Sequence, residues 1–369
     1  MNKREISEIK KLYRPERCSV NRIAGCYVNA EKEKLSVFKE AFLALPEETV
    51  FKYLEIFKKN MSGTIGKNMF NLGFPLKEEK EDGAQAFLMR LRDNQLKDDS
   101  VLDQFYDKVI DTYSYAGNYL ILLIYDQYDI PGKTTDNFNM DDASEEVFSY
   151  IMCMICPVDL SKPGLSYHED SQAFKERTRD WVAGVPDIGF MFPAFNERST
   201  DIHNVLYHIK NKSTIHPEFV TEILGCEFRG TSDDHEKAFV TIVEETLAEE
   251  CTFEAVKQIL SDVEDLTEEN EENKESSTIG KSRMLRLLEQ HIDGEEEFDQ
   301  VWESAESAED ILLSDISSKG TCSMKMDQVE VKSINGFGDQ IEMKMVDGRK
   351  CLVIPVEGEL FINGICIQN

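Results

Sequence analysis

The amino-acid sequence predicts an α+β fold, in which an antiparallel or mixed sheet is flanked by helices. Three apolar runs bounded by Pro or Gly predict buried strands at 118–130, 147–158 and 187–195. Apolar residues recur at helical spacing before and after these runs, but helices do not alternate with the strands as a parallel sheet requires. An acidic helical middle and a small C-terminal antiparallel β module complete the expected architecture.

The N-terminal elements follow from the spacing of apolar residues. Apolar residues three apart, from Ile6 to Leu12, predict a short amphipathic helix over 2–12. Pro15 ends this helix, because the residue before a proline disfavours the helical conformation. The run SVNRIAGCYVN at 19–29 predicts a strand or one arm of a hairpin. Helices are then expected at 34–44, 47–60, 84–93 and 99–112.

Two further helices are predicted around the third strand. Residues 171–183 have the composition of a helix between the second and third strands. The segment FPAFNERSTDIHNVLYH at 192–208 is expected to pass from a strand into an amphipathic helix, because Ile202, Val205 and Ile209 fall on one helical face. Later helices are expected at 216–225, 235–249, 253–266, 282–292 and part of 295–316.

The end of the chain has a different pattern. QIEMKMVDGRKCLVIPVEGELFINGICI alternates apolar and polar residues and turns at Asp347-Gly348 and at Asn363-Gly364, which is typical of β-hairpins. The predicted organisation is a core domain, an acidic linker, an acidic helical segment and a β module, at 1–265, 266–281, 282–318 and 322–369.

The charge of the chain is concentrated in its middle. The net charge is −30, and residues 233–275 hold 16 acids against 3 lysines, while residues 293–315 hold 10 acids and no base. These two segments carry −13 and −10, so the remaining residues carry only −7. Acidic segments repel nucleic-acid phosphates. The first 22 residues have the opposite charge balance, with seven bases and three acids.

Composition also indicates where in the cell the protein is expected. The longest apolar run, YLILLIY at 119–125, is far shorter than the roughly 20 residues that cross a bilayer. A secretory signal requires an apolar segment after the basic N-terminus, and this sequence has none there. Nine cysteines at irregular spacing favour reduced thiols over a disulfide framework. We therefore expect a cytoplasmic protein that does not enter a membrane.

Motifs for cofactors and catalysis are incomplete. IPGKTTD at 130–136 contains Gly-Lys-Thr, but Gln127 occupies the position where a phosphate loop needs Gly. Cys153 and Cys156 form a C-x-x-C inside an expected strand, which would point them to opposite faces. HEDSQ and HEKAF lack the second His of a zinc-protease helix, and G-x-S-x-G does not occur. The sequence thus predicts no cofactor and no metal.

Polar residues in the 192–208 segment are the candidate binding residues: Arg198, Asp201, His203 and Tyr207. On the predicted helix, most of them form its outer stripe and N-terminal cap. Arg198 precedes the cap, where it either pairs with Asp201 or binds an anion with the helix N-terminus. The candidate phosphate contacts are Arg14, Arg17, Arg22, Arg177 and Arg179.

Five further segments are informative when they are taken together: IKKLYRPERCSVNRIAGCYVN, NYLILLIYDQYDIPGKT, CPVDLSKPGLSY, GFMFPAFNERSTDIHNVLYHIKN and, near the C-terminus, DGRKCLVIPV. Together they resemble a family of bacterial proteins catalogued as a domain of unknown function, and the likeness covers nearly the whole chain. The resemblance implies no functional residues. The order of elements is also similar to that of bacterial nucleoid-associated proteins, which is an analogy at the level of fold.

Three functions remain open at this point. The first is a non-enzymatic protein that acts through macromolecular contacts, with a protein partner favoured. The second is a nucleic-acid-associated protein of the nucleoid type that uses the five arginines. The third is an enzyme centred on Arg198, Asp201 and His203, which requires these side chains to surround one pocket.

Overall fold

The computed structural model confirms the α+β class and divides into two compact units, Met1–Phe228 and Arg229–Asn369. It describes residues 1–133, 139–211, 214–273, 278–292, 294–305, 311–317, 322–326, 328–333, 341–356, 360–362 and 365–367. We call the two parts unit 1 and unit 2.

Unit 1 is built on one large sheet in which every neighbouring pair of strands is antiparallel. Its strands are β1 (Arg22–Val28), β2 (Lys34–Ala41), β3 (Met69–Gly73), β4 (Asn118–Lys133), β5 (Asn139–Leu160), β6 (Leu165–His168), β7 (Ala173–Glu176), β8 (Trp181–Ala183), β9 (Ile188–Phe192), β10 (Ala194–Asn196), β11 (Ser199–Asp201) and β12 (Asn204–Ile209). The large sheet has the order β2-β1-β4-β5-β9-β12-β3, and β8 also pairs with β5. β6 pairs with β7, and β10 pairs with β11.

Helices cover both faces of this sheet. They are α1 (Lys3–Lys10), α2 (Glu47–Asn60), α3 (Ala84–Asp93) and α4 (Asp99–Thr112), with a π-helical turn at Phe219–Ile223. Alternate residues of β4 enter two separate cores, with Ile121 and Leu123 in one and Leu122 and Ile124 in the other. Because β4 is buried on both faces, its sequence is a continuous apolar run.

Three predicted helices are wrong. Residues 34–44 form β2 and a 3-10 turn, residues 171–183 form β7, β8 and their connection, and the segment after 202 forms β12. In β12, Val205, Tyr207 and Ile209 enter one core while Leu206 enters the other. A strand buried on both faces therefore contains apolar residues at spacings that imitate a helix.

Unit 2 combines a helical core with small β-hairpins. Its helices are α5 (Ser232–Leu247), α6 (Phe253–Asn273), α7 (Lys281–Leu288), α8 (Glu295–Ser304) and α9 (Leu313–Ile316). Its strands pair as β13 (Cys322–Met326) with β14 (Val329–Ser333), β15 (Glu342–Val346) with β16 (Arg349–Val353), and β17 (Leu360–Ile362) with β18 (Ile365–Ile367). Ile242, Ile259, Leu288 and Phe298 share one core.

The predicted turn at Asp347-Gly348 is confirmed, and both residues have positive φ. The turn at Asn363-Gly364 lies outside the described residues. The sequence placed a boundary at 265 and a linker at 266–281, whereas α6 continues to Asn273 and the units meet between Phe228 and Arg229. The physical reason is that α5 and α6 pack with α7 and α8 in one core.

Candidate functional site

The segment around Arg198 is a tight hairpin turn rather than a helix start. β10 and β11 pair from Ala194↔Asp201 to Asn196↔Ser199, which leaves Glu197 and Arg198 as the two turn residues. Both have positive φ, at 51° and 57°, as a two-residue hairpin turn of the I′ type requires. The predicted helix N-terminus that could hold an anion beside Arg198 is therefore replaced by a turn.

Arg198 forms an ion pair with Glu8 of α1. Its Nε donates to the two Glu8 carboxylate oxygens at 3.3 and 3.2 Å, and a terminal nitrogen donates to Oε1 at 3.0 Å. The Tyr128 hydroxyl donates to the same Oε1 at 2.8 Å. Hydrogen bonding to Glu8 raises the pKa of Arg198. The partner of Arg198 is thus neither Asp201 nor a bound anion, which were the two alternatives expected from the sequence. The ion pair with Glu8 connects α1 to the hairpin turn.

Asp201 closes the connection between β11 and β12. Its carboxylate accepts hydrogen bonds from the side chains of Asn196 at 2.6 Å and Asn204 at 2.8 Å, and from the backbone N–H of His203 at 2.9 Å. It also lines an open cavity of about 620 Å³ that lies between the N-terminal residues, including Glu5 of α1, and the β10–β11 hairpin. Neither Arg198 nor His203 belongs to that lining.

His203 and Tyr207 point to different environments. The exposed His203 ring lies with Nδ1 2.7 Å from Glu79 Oε1, and this hydrogen bond raises its pKa. Tyr207 is fully buried, its hydroxyl donates to the carbonyl of Ile215 at 2.8 Å, and burial raises its pKa. Apart from the backbone N–H of His203, which donates to Asp201, the four candidate residues have separate contacts, and the cavity beside Asp201 is not lined by the other three.

Sequence reasoning missed a buried polar chain that runs through one core of unit 1. The Tyr150 hydroxyl donates to Asp126 Oδ2 at 2.8 Å and lies 2.9 Å from the Tyr13 hydroxyl. Asp126 also accepts from the backbone N–H of Gln127 at 2.8 Å. Burial raises the pKa of Asp126 to about 6, against the hydrogen bonds that lower it. Tyr13, Asp126 and Tyr150 are fully buried, so these side chains are inaccessible to a substrate.

A second missed cluster joins a histidine, an aspartate and a tyrosine. Asp187 Oδ2 accepts a hydrogen bond from the Tyr113 hydroxyl at 2.8 Å and lies 3.4 Å from His216 Nε2. The nearby His216 ring lowers the pKa of Asp187, and burial raises the pKa of Tyr113. A tyrosine held protonated on a carboxylate is a poor nucleophile, so this arrangement orients the three side chains rather than activating one.

The cysteine pair has a structural environment. Cys153 and Cys156 are fully buried on β5 and enter opposite cores, as expected for a strand. Burial raises the pKa of Cys156 to about 12 and that of Cys153 as well, so neither is a ready thiolate. Within the described ranges, no group of three or more His, Cys, Asp or Glu side chains could hold a metal ion.

A two-stranded ribbon with exposed side chains continues the β5–β8 pair of unit 1. β5 ends at Leu160, the chain returns as β8, and the pair Leu160↔Trp181 closes the base. Between them, Ser161 donates its N–H to the Asp180 carbonyl at 2.8 Å, and Arg177 donates its N–H to the Gly164 carbonyl at 2.9 Å. The pairing then continues into β6 and β7. We call residues 160–181 the arm.

The arm exposes apolar side chains on one face. Tyr167 lies directly across from Phe174, so their side chains share a face with Leu165, two positions along β6. The two rings are 5.5 Å apart. Leu165, Tyr167 and Phe174 are 73, 53 and 69 % exposed, and none of them belongs to a core of unit 1. Trp181, at the base, is 54 % exposed.

The candidate phosphate contacts lie at two places in unit 1. Arg14 and Arg17 flank and end the 3-10 turn Pro15–Arg17, and Arg22 begins β1. Arg177 and Arg179 are exposed residues of the arm, where Arg179 Nε donates to the Ser161 carbonyl at 2.7 Å. The arm also carries the exposed acids Glu169, Asp170, Glu176 and Asp180.

Comparison with known proteins assigns the chain to a family. The family described as "Domain of unknown function (DUF4317)" matches residues 1–365, so the chain belongs to it. No match was found among curated proteins. Of the helices in the part of the chain that the structure describes, none combines the length and apolar character needed to span a membrane.

Proposed function

We propose that this member of the DUF4317 family works by binding a protein partner through the arm, and not by catalysis. The observation that carries the proposal is the exposed apolar face formed by Leu165, Tyr167 and Phe174. Cysteine spacing that favours reduced thiols supports the cytoplasm as the place where this binding occurs.

Exposure of this face is unfavourable unless something covers it. Burying one large apolar side chain stabilises a complex by about 1.5–3 kcal/mol, and three such side chains lie together on the ribbon. A two-stranded ribbon is marginally stable in water, so apolar residues on it contribute little to folding when they face solvent. Tyrosine is also enriched among the residues that dominate binding energies at protein interfaces. A contact surface accounts for all three features.

The contacts of Arg198, Asp201 and His203 favour protein binding over an enzyme centred on them. Each side chain is engaged with a different structural partner, and Arg198 is held by a carboxylate from α1. A catalytic site needs its groups within reach of one reacting atom. The divergence of these three side chains therefore supports the choice of protein binding over an enzyme centred on them.

Nucleic acid is the second candidate, favoured by one observation. Arg177 and Arg179 lie on the same arm as the exposed rings of Tyr167 and Phe174, and rings flanked by bases are typical of surfaces that bind single strands. The acids of the arm argue against nucleic-acid binding, because Glu169 and Asp170 at its tip would repel phosphates. The net charge of −30 opposes it further. A protein partner is therefore the better supported choice.

Photo-crosslinking in living cells tests the proposal. A benzoyl-phenylalanine placed at Phe174 should capture a protein in a specific adduct, and a Tyr167→Ser change in the same chain should abolish it. The matched control places the crosslinker at Leu76, which is 83 % exposed in unit 1 but outside the arm. Equal labelling at both positions, or capture of nucleic acid alone at Phe174, would contradict a protein-binding arm.

A further inference from the structure

We propose that His235 is a pH-sensitive switch in unit 2, whose doubly protonated ring holds α9 to α5 and whose deprotonation weakens this attachment. The switch lies in a different part of the chain from the arm and does not depend on the proposed function above. Two observations carry it, namely the acceptors that face both ring nitrogens and the burial of the whole contact.

Both nitrogens of the His235 ring face hydrogen-bond acceptors. Nδ1 lies 2.6 Å from Oδ2 of Asp315 in α9, and Nε2 lies 2.6 Å from the backbone carbonyl oxygen of Arg229. A carbonyl oxygen and an ionised carboxylate can only accept, whereas a neutral imidazole has a single N–H to donate. A neutral ring would therefore turn a lone pair toward one of the two oxygens. Both contacts are satisfied together when each nitrogen carries a hydrogen, which makes the ring an imidazolium.

The contact between His235 and Asp315 is closed to solvent. The His235 side chain is 1 % exposed and that of Asp315 is 11 % exposed. Imidazole is ordinarily a stronger base than a carboxylate by about 2–3 pH units, so the proton stays on the ring. A buried ring that lost it would face an oxygen with an unpaired lone pair, at a place where water does not compensate. The folded chain therefore keeps this proton at a pH at which a solvated histidine, which titrates near pH 6.5, has released it.

The charges around His235 favour the protonated ring. Hydrogen bonds from Thr231, and to a smaller extent the nearby Lys237 and His235 side chains, lower the pKa of Asp234 in the first turn of α5. The Arg229 and Lys237 side chains are exposed. α8 packs on α5 and α6 packs on α9, and none of the charged side chains described in α6 and α8 is buried. The ring thus has carboxylates near it on α5 and α9, and no buried Lys or Arg occurs in the part of unit 2 that the structure describes.

α9 connects the helical core of unit 2 to the hairpins that follow in the chain. It has four residues, Leu313–Ile316, and no side chain caps its N-terminus. Leu313 and the preceding Ile311 are buried in the core, and the Ile279 N–H donates to the Ile311 carbonyl at 2.9 Å. The chain then continues to β13. The protonation of His235 therefore affects how firmly the segment before the hairpins is held to α5.

The sign of the pH effect follows from the retained proton. When α9 opens, the His235 ring meets solvent and titrates near pH 6.5. Below that pH the open and closed forms both bind the proton, so the attachment is complete and does not vary with pH. Above it, opening releases one proton, and the open fraction rises about tenfold per pH unit until the closed ring loses its own proton.

Hydrogen exchange of residues 311–317, followed by mass spectrometry between about pH 7 and 9, tests the switch. In the unmodified chain, protection corrected for intrinsic exchange should fall about tenfold from pH 7 to 8. Asp315→Asn should remove this dependence, because the amide NH₂ can donate to Nδ1 of a neutral ring whose Nε2–H still donates to Arg229. His291→Gln is the matched control, because it removes the other histidine of unit 2 and should leave the pH dependence unchanged.

NMR of the unmodified chain provides a measurement that does not rely on a variant. At about pH 7.5, the assigned His235 ring should carry a hydrogen on each nitrogen, whereas an ordinary solvated histidine is mostly neutral at that pH. A neutral His235 ring at this pH would overturn the proposal. It would also be overturned by corrected protection that is constant between pH 7 and 9, or by the same loss of protection in Asp315→Asn.

Discussion

Replacing Asp126 by Asn should change how the stability of unit 1 depends on pH. Burial raises the pKa of this carboxyl from 3.8 to about 6 in the folded chain. The folded state therefore binds the proton more tightly than the unfolded state does. This favourable contribution is fully present below about pH 4 and is lost as the pH rises through 6.

The size of the effect follows from the two pKa values. A difference of about two pH units corresponds to about 3 kcal/mol between the protonated and ionised forms. Asp126 is fully buried, so solvent screening does not reduce this figure substantially. The amide side chain of the variant would have no charge to bury, and its carbonyl and NH₂ groups can replace the contacts to Gln127 and Tyr150. We expect Asp126→Asn to match the unmodified protein near pH 4 and to exceed its stability by about 3 kcal/mol at pH 8.

Hydrogen exchange in β4, followed by mass spectrometry from pH 4 to 8, reports on unit 1 alone. Exchange protection should be compared between the unmodified chain and Asp126→Asn after correction for the intrinsic pH dependence of exchange. Asp129→Asn is the matched control, because Asp129 lies on the same strand and is exposed. Tyr150→Phe removes a hydrogen bond that lowers the pKa of Asp126, so the loss of stability should still begin near pH 4 but continue to higher pH. If exchange protection changes with pH in the same way in Asp126→Asn and in the unmodified chain, the reasoning is refuted.

Three other changes have defined outcomes. His235→Ala should destabilise unit 2 by about 3–5 kcal/mol in urea unfolding, because the buried ring contacts a carboxylate and a backbone carbonyl at 2.6 Å each; an unchanged midpoint would contradict this. Glu8→Gln should cost about 1 kcal/mol by the same measurement, since the pair with Arg198 is partly exposed, and a loss several times larger would be inconsistent with that exposure. The chain should not retard DNA or RNA in gels at about 50 mM salt; a shift that Arg177→Ala with Arg179→Ala removes would instead favour nucleic acid as the partner.

The central strands could be predicted from sequence because their signal does not depend on distant contacts. β4 and the second half of β5, residues 147–158, contain long apolar runs, and two-sided burial is the simplest reason for such a run. The helices α2 and α4 are also predicted with their observed limits, since their apolar residues face one core at regular helical spacing. In these elements, local pattern and tertiary environment agree.

Prediction failed for β12, a short strand that packs on both faces, and for the arm, which packs on neither. β12 enters two cores, so its apolar residues give no simple alternation. The arm enters no core, and the polar and aromatic composition of 171–183 imitates that of a helix. An alternation is present in Leu165, Tyr167 and Phe174, but it marks an exposed face, which a search for buried strands overlooks.

The partner of Arg198 could not be found from the local sequence. Asp201 is the nearest acid that a helical arrangement offers, while the observed partner, Glu8, lies 190 positions away. The positive φ of Glu197 and Arg198 turns the guanidinium away from its neighbours in sequence and toward α1 and Pro131. Long-range pairing of this kind depends on topology, which short patterns do not encode.

The placement of the arm separates binding from stability within unit 1. Its exposed residues Leu165, Tyr167 and Phe174 belong to neither core, and its base is closed by the strand pair Leu160↔Trp181. Substitutions on its face therefore leave the buried contacts of the sheet unchanged and alter only what the ribbon meets. The buried carboxyl of Asp126 has the opposite character, because it acts on folding and is inaccessible from the surface. If the arm is the contact surface, variants at Phe174 lose the partner without losing stability, and variants at Asp126 change stability without losing the partner.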